Sequence, residues 1–129
     1  MPAAPSVVLL DAERHLLAAA FHDGPWLATA KRDLSPANFA CPKHQTIWRS
    51  IIDSTPDGNP ADEISILADL ELNHLTDQAG GRIYINELGS LLYGPSPSVN
   101  RWQEQILSAG KSRSLLNGLD ILRSKAESG

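Results

Sequence analysis

Gly110-Lys111-Ser112 has the residue order that ends a phosphate-binding loop. The complete motif also demands a glycine five residues before Gly110, and that position is Gln105. It demands a buried strand ahead of it as well, so that unbonded N–H groups cradle the phosphates at the start of a helix. Here the tripeptide falls inside a predicted helix, where those N–H groups are already used, and no nucleotide site is expected. Four histidines could act as ligands or bases: His15, His22, His44 and His74. His15 and His22 lie two turns apart, roughly 10 Å along a helix axis, too far to share one metal ion. His44 sits on the apolar stripe of its helix, where a hydrogen-bonded packing role is expected. Cys41 and His44 together suggest a small Cys/His hydrolase. No third residue to orient the base and no oxyanion site is evident, and cysteine also serves as a small buried apolar side chain.

The carboxylates are dispersed. Asp11 and Glu13, like Asp62 and Glu63, stand at expected helix starts, where negative charge is favoured by the dipole. Asp69 and Glu71 read as a solvated face. Lys31-Arg32, and Lys111 with Arg113, are small basic clusters that read as polar helix faces. Of the three tryptophans, Trp48 belongs to a strong apolar stripe and is expected in the core. Trp26 is expected to cover a neighbouring helix, and Trp102 either to plug the core or to anchor an interface. No catalytic residue, metal site or cofactor is expected from these patterns.

The elements that must carry these side chains are helices. Asp11 is placed as the cap of a helix running to Phe21, after an irregular lead-in over residues 1–10. Asp23-Gly24-Pro25 ends it and opens a second helix, Trp26 to about Lys31, and Ser35-Pro36 starts a short turn. Pro42 opens a helix whose His44, Ile47, Trp48 and Ile51 repeat at i, i+3, i+4, i+7, the clearest amphipathic signal in the chain. After the Pro56–Pro60 turn, Asp62 caps a helix ending near Leu72, and another spans Ile83 to Leu92. Beyond the Gly94–Pro97 break, a long helix is expected from Val99 to about Lys125. It carries Trp102, Ile106, Leu115, Leu116, Leu119 and Leu122, with Gly110 and Gly118 weakening it by about 1 kcal/mol each relative to Ala. Such a helix is expected to need a partner surface. The fold class is therefore all-α: a compact six- to seven-helix domain, globular over 11–94, with a long C-terminal helix over 95–129.

The 129 residues suit one modest core. A net charge of −4 opposes a surface built to grip nucleic acid, so DNA is expected only as an indirect partner. One cysteine excludes an internal disulfide and, without a membrane helix or signal peptide, a cytoplasmic setting is expected.

Five segments, in order, resemble the N-terminal domain of DnaB-type replicative DNA helicases. They are Asp11 to Asp23; Leu34 to Phe39 with Pro42, His44, Ile47 and Trp48; Gly58-Asn59-Pro60 with Asp62 and Ile66; Gly80-Gly81 with Tyr84, Ile85, Glu87 and Leu88; and Pro95-Ser96 followed by Trp102 and Ile106. The resemblance spans residues 10 to 116. It implies an all-α globule with a helical hairpin that pairs two domains, three such pairs forming the collar of a hexameric ring. It further implies contact with primase or a helicase loader, while motor domains elsewhere hydrolyse ATP. The second hairpin helix would have to follow Gly129. Primase carries a C-terminal domain of similar fold, so a stand-alone loader or primase-like adaptor is the second expectation. Self-association is expected, with Trp102, Ile106, Leu115, Leu116, Leu119 and Leu122 as the contact residues.

Overall fold

A computed structural model describes residues 7–56, 58–91 and 99–110. Its elements are α1 (Val7–Ala20), α2 (Gly24–Asp33), a 3-10 turn (Pro36–Asn38), α3 (Pro42–Ser54), α4 (Glu63–Leu72) and α5 (Gly81–Ser90). A further helical segment, α6, covers 99–110. There is no strand among the described residues, so the expected all-α class holds.

α1 is the hub. It packs against α2, α3 and α5, while α3 also meets α4 and the 3-10 turn, and α4 meets α5. Leu16, Leu17, Ala18, Ala19 and Ala20 are all fully buried. A run buried on every side needs small residues where helices crowd closest, and three consecutive alanines supply them. α1 starts at Val7, not after a cap at Asp11. Nothing after Pro5 breaks a helix, and Leu9 packs on the core, so Val7–Leu10 extends the helix instead of leading into it. Asp11 is exposed and pairs with Arg14 Nη1 at 3.3 Å.

The starts of α2 and α4 follow their capping chemistry. Asp23 accepts from the Trp26 N–H at 3.0 Å, and Asp62 from the Ser65 N–H at 3.1 Å. α2 begins two residues before Trp26 because Gly24 and Pro25 both fit the first turn. α3 ends at Ser54, with Thr55 extended ahead of Pro56, as a residue before proline prefers. α5 starts at Gly81 and stops at Ser90, two residues earlier at each end than the spacing suggested.

Two junctions hold the layers. The Ala61 N–H donates to the Ala20 carbonyl at 2.7 Å, seating the turn before α4 on the end of α1. A Cβ on Gly24 would lie 2.5 Å from the Gly58 carbonyl oxygen and 3.0 Å from backbone atoms of Asn59 and Pro60, so only glycine lets α2 touch that turn. On the far side, Lys31 Nζ donates to the Thr55 carbonyl at 2.6 Å and ties α2 to the end of α3. The core side chains are Trp48, Phe39 and a shell of Leu and Ile; Trp48 Nε1 donates to the Leu34 carbonyl at 2.9 Å, so its one polar atom is satisfied.

Candidate functional site

Two features stand out once the helices are assembled: a buried polar relay through the centre, and the way α6 lies across the globule.

Glu13 is fully buried at mid-helix in α1, not in a solvated first turn. One carboxylate oxygen, Oε2, accepts from the Ala40 N–H at 2.7 Å. The other, Oε1, accepts from the Cys41 N–H at 3.4 Å and pairs with His44 Nδ1 at 2.8 Å. A carboxylate only accepts, so Nδ1 carries a proton toward it. His44 Nε2 reaches the Tyr84 hydroxyl at 2.6 Å, and the two rings are nearly parallel, 12° apart. Lys43 Nζ covers the Tyr84 ring at 4.2 Å. Burial pushes the Tyr84 phenol up to about 12; the nearby charges of Cys41, Glu87 and Glu13 add to that push, while Arg14 opposes it. The relay thus fastens α1, the 40–41 segment, α3 and α5 with every member hydrogen-bonded.

His44 takes the hydrogen-bonded core role expected of it. Both of its ring nitrogens are committed, which leaves none to draw a proton from Cys41, and the geometry offers the Cys/His hydrolase reading no base. A depression of about 430 Å³ opens above the relay, lined by Asp11, Arg14, Cys41, Lys43, Tyr84 and Glu87 among others. Its charges are mixed and select no single ligand sign. Among the described residues, no group of His, Cys, Asp and Glu could hold a metal ion.

α6 crosses α1, α2 and the 3-10 turn. Val99 and Ile106 insert into the core. Trp102 is half-buried with its ring 5.4 Å from that of His15, and Gln103 Oε1 accepts from Trp26 Nε1 at 3.0 Å. Trp26 thus covers a neighbouring helix, as expected. Ile106, expected at a partner contact, is fully buried by this chain's own helices and has no surface left to offer. Gly110 is buried, and a Cβ there would sit 3.1–3.3 Å from Asn38. It is a packing glycine at a close approach, not only a weak point in the helix. It also lies within helix, so its backbone is unsuited to cradling a phosphate. Leu115, Leu116, Leu119 and Leu122 lie outside the described residues, as do Lys111 and Ser112. Between α2 and α6 runs a groove of about 630 Å³, bordered by Trp26, Asp33, Asn100, Gln103 and Glu104.

Two carboxylates depart from the solvated positions that their sequence context suggests. Glu13 lies at i−3 and i−4 from Leu16 and Leu17, and that apolar-face spacing is the signal that marks it as buried. Asp69 accepts from the Ser50 hydroxyl at 2.7 Å and so bridges α3 and α4 instead of lying on a solvated face. No helix of the described residues is long and apolar enough to cross a membrane.

Comparison with known proteins agrees with this architecture. The family model for the DnaB-like helicase N terminal domain matches residues 6–106. The replicative DNA helicase DnaB of Geobacillus stearothermophilus is 30% identical over 79 residues, covering 61% of this chain and 17% of that protein. DnaB of Treponema pallidum (strain Nichols) is 29% identical over 118 residues, covering 91% of this chain and 26% of the relative. The chain therefore spans about a sixth to a quarter of the length of these relatives. The crystal structure of the N-terminal domain of DnaB helicase from Mycobacterium tuberculosis superposes with a TM-score of 0.78 at 22% identity, over 98% of this chain and 89% of that one, which establishes a shared fold. The all-helical fold and the family match over residues 6–106 converge, and this chain belongs to the DnaB-like helicase N-terminal domain family.

Proposed function

We propose that this chain is the interaction domain of a cytoplasmic replicative DNA helicase. It assembles copies into dimers and rings, docks primase or a helicase loader, and leaves ATP hydrolysis to a motor outside this sequence. The observation that carries the reading is α6. Its first three turns are clamped to the globule by Val99, Ile106, Trp102 and Gln103, and the sequence then continues into Leu115, Leu116, Leu119 and Leu122 at helical spacing. Four leucines on one stripe ask for a covering surface. Trp102, half-buried on the described part of α6, joins the contact set; Ile106 leaves it. With a net charge of −4, DNA is reached through the assembly and not gripped directly.

Size-exclusion chromatography with light scattering tests the assembly. The natural sequence is expected to run as a dimer or larger species, and Leu116→Asp or Leu119→Asp to shift it toward monomer while its helical circular dichroism is retained. If all three run as stable monomers, assembly through this helix is refuted. Titration of the same proteins with purified primase then asks whether the helix also carries that contact.

A further inference from the structure

The groove between α2 and α6 carries charge of one sign. Asp23, Asp33 and Glu104 all line it, and among the described residues no basic side chain does. Asp23 has one oxygen occupied as the α2 cap, 3.0 Å from the Trp26 N–H. Asp33 and Glu104 are exposed, and neither carboxylate has an ion-pair or hydrogen-bond partner among the described residues. Asp33 is also the last residue of α2, the end at which the helix dipole disfavours an anion. Lys31, in the same turn, is engaged on the Thr55 carbonyl at 2.6 Å. Carboxylates that share one groove without a counter-charge favour a cation there, the more so where an apolar wall limits screening.

Trp26 supplies that wall. It is half-buried and its one polar atom, Nε1, is bonded to Gln103, so the part left to face the groove is apolar ring. An indole beside carboxylates suits a guanidinium, whose plane stacks on the ring while its N–H groups meet the oxygens. An ammonium matches only the charge. Asp23 caps one end of α2 and Asp33 closes the other, across a helix of 10 residues and thus about 15 Å. An extended chain covers that span in roughly five residues. We propose that the α2–α6 groove docks an extended, arginine-bearing segment of a protein partner. This rests on the reading of the chain as an interaction domain and names the chemistry of one partner surface.

Titration of the isotope-labelled full chain with a capped Arg-Ala-Ala-Ala-Arg peptide, followed by NMR, tests this. The Trp26 indole N–H and the Gln103 side-chain amide resonances are expected to move together along one saturable curve. Asp33→Asn combined with Glu104→Gln is expected to weaken binding roughly tenfold, through the loss of two exposed charge pairs. Asp77→Asn, exposed and outside the groove, is expected to bind as the natural sequence does. The same peptide with lysine in place of arginine is expected to bind several-fold more weakly, since it loses the stacking. Both altered carboxylates are exposed, so thermal unfolding stays unchanged. Shifts without saturation, undiminished binding by the Asp33→Asn, Glu104→Gln protein, or equal binding of the lysine peptide each overturns the proposal. The mass by light scattering tests the reading beneath it and is expected to be the same with and without these two substitutions, so the two fail separately.

Discussion

Glu13 and His44 make the domain depend on a few buried atoms. Removing the imidazole leaves the carboxylate with two backbone donors, the longer at 3.4 Å, and opens a void between α1 and α3. His44→Ala is therefore expected to cost about 3 kcal/mol of unfolding free energy in urea titration, combining a lost buried hydrogen bond with a cavity. Tyr84 adds a dependence at alkaline pH. Its phenol ionises near 10 in the unfolded chain and at about 12 in the folded one. Between those values the folded state holds the proton that the unfolded state has lost, so this contribution is complete below pH 10 and vanishes as pH rises through 12. Thermal unfolding across that interval is expected to fall more steeply for the natural sequence than for Tyr84→Phe. Equal slopes would show that the phenol does not couple to folding.

The helices differ in how plainly their sequences announce them. α3 was legible because Pro42 fixes its start and His44, Ile47, Trp48 and Ile51 form a stripe that only a helix aligns; all four are buried. α1 was legible as a helix but not in its extent. The Val7–Leu10 run has no cap to mark a start, and a glutamate two residues after an aspartate looks like dipole chemistry until tertiary packing surrounds it. α4 misleads in another way, because apolar residues on both sides hide which side is the core. Gly24 is the junction no pattern revealed: its need for no side chain arises from a turn more than thirty residues later in the chain. Gly24→Ala is expected to destabilise by about 2 kcal/mol, since the clash is with backbone that cannot rotate away. Differential scanning calorimetry reads this as a lowered Tm, and an unchanged Tm would mean that the turn moves freely.

For the domain as a unit, the order of five short segments along the sequence carried the family, which the match over residues 6–106 bears out. The boundary between globule and arm was not legible. The division at residue 95 assigned Ile106 to the arm, yet Val99 and Ile106 complete the core. A periodic stripe shows which face of a helix is apolar but not which stretch of that face the chain's own helices cover. The same light-scattering experiment separates the two parts. Ile106→Ala is expected to lower stability by about 2–5 kcal/mol and leave the mass of the folded species unaltered, the reverse of Leu116→Asp. Loss of association with full stability in Ile106→Ala would place that side chain at a contact after all.

Gly110 gives this layout a fulcrum. The last described turn of α6 passes so close to Asn38 that a Cβ on Gly110 would lie 3.1–3.3 Å from it, so the seat of this turn on the 3-10 segment depends on a missing side chain. Any bulkier residue there would act as a wedge, tilting the helix about its anchorage at Val99 and Ile106. The way the described part of α6 lies across the globule is thus governed at a position that carries no side chain.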